Sequence, residues 1–453
     1  MGPIWRKDTR LPSFGKLKGE KGTEVLIVGG GMAGILCARF LQEAGVDYVV
    51  LEGDTVCSGV TGNTTAKITS QHGLLYQRLH KSIGAERAGI VLEANQRAVE
   101  RYAELCQGIG CDFERKDSYV YSLENRDKLE KEMQALGEIG FPAELTETVE
   151  LPLSTVGAVR FRDQAQFHPL KFAGQIVSGL NVYERSFVKE LRGNTAVTDS
   201  GKITFRKLVM AVHFPFGMPL SSSFRLRGRL RGLYFLKMYQ HRSYVMALKD
   251  ASLVKGMYVD ESRTGMSFRS YGNLLLLGGG GHRTGKRGGG WHELRRSAEN
   301  FYPGAAEVRR WAAQDCMTLD GIPYIGRYSR RTPDCYVATG FNKWGMTSSM
   351  VAAMILTDLV LEKENPCAEV FRPSRSLLRS QLLVNAGEAV VNMLSPVKKR
   401  CPHMGCALRW NAEERSWDCP CHGSRFDGEG HPLDNPSNNN IRSKGSDAKG
   451  GKR

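Results

Sequence analysis

The chain has 453 residues, 41% of them hydrophobic and 24% charged, which is the composition of a globular protein. Its net charge of +16 suggests an anionic partner surface, although solubility alone is a sufficient reason for such a charge. The sequence has no apolar run of about 18 residues, which excludes a transmembrane helix, and its N-terminus lacks the apolar core of a signal peptide. We therefore predict a cytoplasmic protein, and the absence of nucleic-acid-binding motifs predicts no nucleic-acid partner.

The segment that organises the chain spans residues 23–52. A short β-branched run leads into Gly29, Gly31 and Gly34, which fill a G-x-G-x-x-G pattern ahead of a helical pattern. Such glycines allow a tight turn, the approach of a pyrophosphate and close packing of helix on strand. Glu52 ends the next predicted strand, where an acidic side chain binds a ribose hydroxyl. The segment predicts a dinucleotide site, against the alternative of a turn that binds nothing.

The loop over residues 58–67 is small, polar and rich in glycine, and it follows the second strand directly. We expect it to lie beside the cofactor and to donate backbone N–H groups, with an ordinary surface loop as the alternative. The next histidines along the chain, His72 and His168, have no partner that the sequence identifies. Because a single histidine defines no site, both are interpreted as structural.

The middle of the chain is rich in predicted strands. Strand patterns within 181–211 return the chain to the first domain, and a second β-rich region follows over 225–296. This region carries basic clusters, interpreted either as a solvated face or as a patch that binds a substrate carboxylate. The basic residues are Arg225, Arg227, Arg229, Arg231, Arg283, Lys286 and Arg287.

A second strand–glycine loop–helix element occurs late in the chain. A strand pattern over 335–339 ends at Gly340, and a loop with a further glycine precedes a long apolar helix over 348–361. Two such elements, far apart in sequence, suit a cofactor with a second large ring system that must be enclosed at both ends.

Residues 23–366 resemble the FAD-dependent D-amino-acid oxidase family. That family shares the opening fingerprint, the Gly/Thr-rich loop, here with Thr61 and Thr64, and the late Asp-Gly-x-Pro-x-Ile-Gly segment. The resemblance implies an α/β fold in which a Rossmann-like FAD-binding domain is interleaved with a β-rich substrate domain. It also implies FAD contacts from both threonines, from Val188 near the adenine, and from Gly340, Gly345, Met346 and Thr347, the last three near the isoalloxazine.

Cys316 lies shortly before that late segment. In some relatives, such as the monomeric sarcosine oxidases, a cysteine near this position bonds the flavin covalently. We interpret Cys316 as a buried thiol, with the covalent bond as the alternative.

Four cysteines and two histidines are packed into residues 401–422, in the segments Cys-Pro-His-Met-Gly-Cys and Cys-Pro-Cys-His-Gly-Ser. Such a set suggests zinc, but zinc fingers place the cysteines in one pair and the histidines in the other. Here each segment supplies one of each. This order resembles the Rieske proteins, whose [2Fe–2S] cluster has two cysteines on one iron and two histidines on the other.

The Rieske resemblance implies a set of roles, and zinc stays the alternative. It implies a disulfide between Cys406 and Cys421 and a hydrogen bond from Ser424 to a cluster sulfide. Phe426 stands where high-potential members carry a tyrosine. The implied cluster ligands are Cys401, His403, Cys419 and His422.

The expected domains follow from these motifs. They are a flexible leader over 1–22, the oxidoreductase over 23–366, a linker helix over 367–395, a small all-β Rieske module over 396–436 and a disordered tail over 437–453. The linker helix carries an apolar stripe, interpreted as packed on a domain rather than on a membrane. The stripe is Leu378, Leu382, Ala386, Val390 and Leu394.

The expected function is oxidation of an amine or amino-acid substrate by hydride transfer to FAD, with one-electron transfer through the cluster to an unknown acceptor. No catalytic base is identified, and Lys67 is a candidate only because its loop should lie near the flavin. One alternative is an oxygen-dependent amine oxidase with an inert Rieske remnant. Another is a zinc-stabilised binding module on a degenerate flavin domain.

Overall fold

A computed structural model of the protein describes residues 2–215, 234–262, 265–375, 380–397, 399–437 and 439–441. Two large sheets, a small third sheet and surrounding helices make up these residues. The cluster formed by Arg225, Arg227, Arg229 and Arg231 lies outside them.

The secondary structure is as follows. In chain order the strands are β1 (Gly19–Val28), β2 (Tyr48–Leu51), β3 (Lys67–Ile68), β4 (Glu114–Ser122), β5 (Glu144–Thr146), β6 (Gly157–Gln166), β7 (Val182–Tyr183), β8 (Glu190–Arg192), β9 (Thr195–Val197), β10 (Gly201–Met210), β11 (Met238–Lys249), β12 (Met257–Asp260), β13 (Ser267–Tyr271), β14 (Leu274–Arg283), β15 (Ala306–Thr318), β16 (Tyr324–Ser329), β17 (Thr332–Thr339), β18 (Arg409–Asn411), β19 (Ser416–Asp418), β20 (Arg425–Phe426) and β21 (Pro432–Asp434). The helices are α1 (Met32–Glu43), α2 (Tyr76–Ile83), α3 (Ala85–Cys106), α4 (Arg126–Ile139), α5 (Pro169–Val177), α6 (Tyr234–Lys237), α7 (Gly290–Phe301), α8 (Gly345–Val360), α9 (Ala368–Phe371) and α10 (Ser380–Leu394), with 3-10 turns at Ile4–Arg6 and Val60–Asn63.

The first sheet has the order β16-β17-β10-β1-β2-β7, with β9 on β10 and β8 on β9. Its central pairs, β1 with β2 and with β10, are parallel. Val25 and Ile27 pack in one apolar cluster with α1 and α8, while Leu26 and Val28 pack in a second cluster. Because both faces of this sheet are covered there, residues 25–28 of β1 and all of β2 are continuous apolar runs. The predicted Rossmann-like domain is confirmed.

The second sheet has the order β15-β11-β14-β13-β12-β4-β6-β3, with β5 on β6. Its strands come from both sides of β7 to β10 in sequence, so the two large sheets are interleaved along the chain. The third sheet, β18-β19-β20-β21, follows α10 and is antiparallel. The predicted α/β fold with a small all-β C-terminal module is confirmed.

The flexible leader predicted over 1–22 is wrong for the residues that the structure describes. Trp5 is fully buried, and its indole N–H donates to the Thr64 carbonyl at 2.7 Å. Its ring lies edge-on to Tyr271, with the centroids 4.9 Å apart. β1 begins at Gly19. One aromatic side chain fixes a polar, glycine-rich segment that composition alone assigns to a loop.

The linker helix differs from its prediction in extent and in orientation. α10 begins at Ser380, and Leu378 lies outside the described residues. Val390 and Leu394, expected to pack on a domain, are 55% and 79% exposed. Asn385 and Asn392 are buried instead. Asn385 Oδ1 accepts from Arg283, and the backbone carbonyl of Asn392 accepts from the Ala407 N–H.

The disordered tail predicted over 437–453 is wrong at its start. Ser437 is buried, and its N–H donates to Ser424 Oγ at 3.0 Å. The Ile441 N–H donates to the Gly430 carbonyl at 2.8 Å. These bonds hold the chain against the module, and residues 442–453 lie outside the described part.

Among the described helices, none combines the length and the apolar character needed to cross a membrane. The cytoplasmic location stays a prediction.

Candidate flavin and iron–sulfur sites

A cavity of about 1500 Å³ is lined by residues of both large sheets. The two glycine loops, far apart in sequence, meet in its wall through Gly29 and Gly31 of the first and Gly340 and Gly345 of the second. Further predicted cofactor residues in the wall are Glu52, Thr61, Thr64, Val188 and Met346. The cavity therefore brings both glycine loops into one wall, as an extended dinucleotide would require.

The three fingerprint glycines have three different surroundings. Gly29 has φ +108°, and a Cβ there would lie 2.4 Å from the Ala211 carbonyl oxygen. A Cβ on Gly34 would lie 1.9 Å from the Gly29 oxygen, so Gly34 lets α1 pack on β1. At Gly31 the nearest atom to such a Cβ is Thr61 Oγ1 at 3.5 Å, so this glycine leaves room on the cavity side. This arrangement fits an approaching pyrophosphate.

Glu52 is held at the end of β2 by backbone donors. Its Oε2 accepts from the Gly30 N–H at 2.7 Å and its Oε1 accepts from the Asp54 N–H at 2.8 Å. Burial raises the pKa of this carboxyl. The fixed carboxyl lines the cavity, so its position suits a ribose hydroxyl, and that contact stays a prediction.

The Gly/Thr-rich loop is fastened by three long-range donors that the sequence analysis missed. Trp5 binds the Thr64 carbonyl, Trp311 Nε1 donates to the Asn63 carbonyl at 2.9 Å, and Arg269 Nη1 donates to the Ala66 carbonyl at 2.9 Å. Thr61 Oγ1 accepts from the Met32 N–H at the start of α1, at 3.0 Å. The loop is thus held against the helix N-terminus, where a phosphate would sit.

Lys67 ends this loop inside the cavity wall and is buried. Burial, together with the nearby Arg269 guanidinium, lowers the pKa of Lys67 to about 7. An amine that titrates near neutral pH can release or accept a proton under working conditions. Lys67, a candidate catalytic base from the position of its loop alone, therefore also has suitable acid–base chemistry.

His72 and His168 have different surroundings. His72 lines the cavity, and its ring stacks on Trp344 with the centroids 4.9 Å apart. Burial lowers the pKa of His72 to about 3, so the ring is neutral. His168 Nδ1 accepts from the Lys171 N–H at 3.1 Å and caps α5. The structural interpretation suits His168, whereas His72 belongs to the cavity wall.

The second glycine loop closes the other part of the cavity. Gly340 has φ +72°, and a Cβ there would lie 2.4 Å from Thr318 Cγ2. Thr347 is absent from the cavity lining, since its hydroxyl donates to the Thr69 carbonyl at 2.9 Å and accepts the Thr69 N–H at 3.1 Å. Thr347 would therefore affect the isoalloxazine site only indirectly, by holding the backbone of Thr69 in place.

Cys316 lies in the cavity wall and accepts a hydrogen bond from Gln240 Nε2 at 2.8 Å. Burial raises the pKa of the Cys316 thiol to about 12. Because a thiolate is the reactive form of cysteine, these surroundings favour the buried-thiol interpretation over a covalent flavin bond.

The described members of the predicted basic clusters are Arg283, Lys286 and Arg287, and none of them lines the cavity. Arg283 Nη1 donates to Asn385 Oδ1 at 3.0 Å, and Lys286 pairs with Glu388 at 2.7 Å. Neither lines the cavity. Arg242 does line it, but its guanidinium is paired with Glu414. The described residues therefore give no support to a carboxylate-binding patch formed by Arg283 and Lys286.

The four predicted cluster ligands form two pairs. Cys401 and Cys419 are joined by a hydrogen bond between their thiols, which lowers the pKa of Cys401 to about 7. The rings of His403 and His422 meet edge to face, with the centroids 5.1 Å apart. Burial lowers the pKa of His403 to about 4 and that of His422 to about 3. Two thiols and two neutral imidazoles are the donor set that a Rieske cluster requires.

Residues around the ligands support the same assignment. Cys406 and Cys421 form a disulfide, and the Sγ atoms of Cys406, Cys419 and Cys421 lie within 4.8 Å of one another. Ser424 forms a hydrogen bond with the Cys401 thiol, which also helps to lower the pKa of Cys401. Phe426 is fully buried in β20.

The small module packs directly on the cavity wall. Glu414 Oε1 accepts from Arg242 Nε at 2.9 Å and from the Tyr244 hydroxyl at 3.0 Å. Gln314 Nε2 donates to the Gly423 carbonyl, in the second ligand loop, at 2.9 Å. Module residues also contribute to the lining of the large cavity. They are Glu414, Arg425, Leu433, Asp434 and Asn435.

Known proteins resemble both parts of the chain. The FAD dependent oxidoreductase family model matches residues 24–359, and the Rieske [2Fe-2S] domain model matches residues 372–444. A protein of Bacillus subtilis (strain 168) described as a Rieske 2Fe-2S iron–sulfur protein, YhfW, is 32% identical, over 96% of this chain and 95% of its own length.

Two further proteins resemble the larger part. Gamma-glutamylputrescine oxidoreductase of Escherichia coli (strain K12) is 23% identical over 74% of this chain and 83% of its own length. The crystal structure of glycine oxidase from Geobacillus kaustophilus has a TM-score of 0.66 at 21% identity, covering 79% of this chain and 100% of that chain. This last likeness shows a common fold.

The room at Gly31 gives a test of the dinucleotide site. Gly31→Val should fold, because a Cβ there meets its nearest atom at 3.5 Å, but should weaken FAD binding at least about tenfold by filling the space for the pyrophosphate. The flavin-to-protein absorbance ratio measures this. As a control, Gly34→Ala should reduce the yield of folded protein itself, since its Cβ would lie 1.9 Å from the Gly29 oxygen. Stoichiometric FAD in Gly31→Val would show the placement to be wrong.

The hydrogen bond at Cys401 gives a test of the cluster site. Ser424→Ala should lower the cluster potential by about 50 mV, because a lost hydrogen bond to ligand sulfur is worth roughly 1 kcal/mol. Phe426→Tyr should shift the potential upward. Redox titration followed by electron paramagnetic resonance measures both, and the parent protein should fall between about −150 and +300 mV. Zinc in place of iron, or equal potentials in all three proteins, would contradict the assignment.

Proposed function

We propose a function for this chain from one premise: it belongs to the FAD dependent oxidoreductase family and carries a C-terminal Rieske [2Fe-2S] domain. The proposed reaction is oxidation of an amine or amino-acid substrate in the large cavity. The electrons then leave through the Rieske domain to a separate acceptor.

One observation carries the electron-transfer part of this proposal. The wall that encloses the fingerprint glycines also contains Glu414 and Arg425 of the Rieske domain. In addition, Gln314 lines the cavity and binds the carbonyl of Gly423, beside the ligand His422. The cavity and the module that carries the predicted cluster ligands therefore share a wall, which supports direct transfer over an inert remnant.

The related proteins and the cavity both support this substrate class. Glycine oxidase and gamma-glutamylputrescine oxidoreductase are named for substrates that contain an amine. The cavity supplies Lys67, a base of suitable pKa. We assign the named FAD contacts and cluster ligands the roles that the family resemblances imply.

The chemistry divides between cofactors and protein. FAD supplies a hydride acceptor for the carbon next to the substrate nitrogen, and a [2Fe–2S] cluster supplies one-electron transfer. A substrate ammonium must lose a proton before its nitrogen lone pair can assist hydride transfer. Lys67, when neutral, takes that proton. The stacked rings of His72 and Trp344 form an aromatic part of the cavity wall.

The proposal is tested by anaerobic addition of amino acids, N-methyl amino acids and polyamine derivatives to the purified protein. A true substrate should bleach the flavin absorbance and produce a Rieske-type electron paramagnetic resonance signal in the same sample. Cys419→Ser serves as the matched control, in which bleaching should persist without the signal. Bleaching by non-amine substrates only would refute the substrate class. A cluster that stays oxidised while flavin turns over with oxygen would refute the transfer and favour the oxygen-dependent oxidase.

The pKa of Lys67 predicts a pH dependence. The amine is protonated below its pKa of about 7 and neutral above it, so the rate of flavin reduction by substrate should rise with pH through that region. Lys67→Met should lower the rate by about 100-fold and remove this step from the profile. Rapid-mixing measurements between about pH 5.5 and 8.5 follow both. An unchanged profile in Lys67→Met would exclude the residue as the base.

A further inference from the structure

The helix α10 (Ser380–Leu394) has its polar face against the protein and its apolar face in solvent. Asn385 and Asn392 are 6% and 1% exposed. Leu383, Val391 and Leu394 are 77%, 63% and 79% exposed. An ordinary surface helix has the opposite orientation, because burial of apolar side chains stabilises it.

This orientation is fixed by specific polar contacts. Asn385 Oδ1 accepts from Arg283 Nη1 at 3.0 Å, and Glu388 pairs with Lys286 at 2.7 Å. The Asn392 carbonyl accepts from the Ala407 N–H at 3.0 Å. Rolling the helix to bury its apolar side chains would break these bonds and bury polar groups without partners. The apolar face is therefore held outward.

The exposed apolar side chains of α10 and of the residues just after it form a set that we call the α10 stripe. Its members recur at helical spacing and extend one turn past the helix end. They are Leu383, Val384, Val390, Val391, Met393, Leu394 and Val397. A helix surface with this many exposed apolar side chains is uncommon and marks a binding face.

The stripe ends beside the first cluster-ligand loop. Arg400 Nη1 donates both to the Met393 carbonyl at 3.0 Å and to the Gly405 carbonyl at 2.8 Å, so one guanidinium joins the helix end to that loop. Met404, next to the predicted ligand His403, is 40% exposed. The apolar surface thus leads from the helix towards the loop that would hold the cluster.

Charge decides between the candidate occupants of this surface. Glu388 is the one charged residue within α10, and Lys286 neutralises it. The exposed residues Lys399 and Arg400 follow the stripe, and the whole chain carries +16. A second copy would bring like charges together, whereas a surface of anionic lipids attracts them.

We propose that the α10 stripe docks on a lipid bilayer that contains anionic headgroups. The helix lies in the plane of the interface, with its apolar side chains among the acyl chains, and the positive charges of the exposed residues Lys399 and Arg400 add attraction to the anionic surface. Docking of this kind places the first cluster-ligand loop at the membrane surface. The proposal depends on neither the substrate nor electron transfer.

The test is cosedimentation of the purified full-length protein with vesicles. Mixed phosphatidylcholine–phosphatidylglycerol vesicles should bind the protein, pure phosphatidylcholine vesicles should bind it less, and high salt should weaken binding. Val391→Glu and Leu394→Glu should each weaken binding to the mixed vesicles about tenfold or more, from the lost apolar burial. Leu253→Glu is the matched control, since Leu253 is 50% exposed between β11 and β12, and it should bind as the parent does. Flavin content and unfolding temperature should be equal in all four proteins.

Three results would overturn the proposal. Equal binding of Val391→Glu and the parent would assign lipid binding to the basic surface elsewhere. Equal loss in Leu253→Glu would show an effect of added negative charge at any position. Failure of the parent to bind the mixed vesicles would also overturn the proposal. If the parent then self-associated and Leu394→Glu abolished that association, the stripe would be assigned to a second copy.

Discussion

The buried pair of Arg242 and Glu414 is the contact on which the arrangement of the two cofactor sites depends. Their side chains are 4% and 9% exposed, so both charges are largely removed from water. Burial alone would raise the pKa of Glu414, but Arg242 and Arg425 outweigh it and hold that pKa below its usual range. Removing one partner from such a pair typically costs about 3–5 kcal/mol, because the other charge is left uncompensated. The Rieske module is therefore fixed in one orientation on the flavin domain.

The contacts that fix this orientation also compensate for the small size of the module. Its first ligand loop follows α10 almost directly, and its sheet consists of four short strands. The part that follows α10 has about 40 residues, and a unit of that size rarely folds alone because it buries too little apolar surface. Here the disulfide, the contacts with Arg242 and Gln314, and the packing of Gly285 against Pro420 supply what a larger core would. The module is best regarded as part of the cavity wall.

The sequence predicts the two cofactors, because the motifs that indicate them are local. The glycine fingerprint and the interleaved cysteine–histidine segments each lie within about 30 residues and have few alternative explanations. Contacts between distant residues carry no such pattern, so Trp5 on the cofactor loop and Arg242 on Glu414 were missed. The orientation of α10 did have a signal. Asn385, Glu388 and Asn392 form a polar stripe at helical spacing, which the apolar stripe on the opposite side concealed.

One wall lies between the flavin cavity and the predicted cluster ligands, and the proposed electron transfer depends on this arrangement. Anomalous diffraction from crystals of the purified protein, recorded on both sides of the iron and zinc edges, tests it most directly. The account predicts two iron peaks among Cys401, His403, Cys419 and His422, and ring density in the cavity across Gln314. A zinc peak at those ligands, or a module separated from Arg242 and from the flavin cavity, would contradict it.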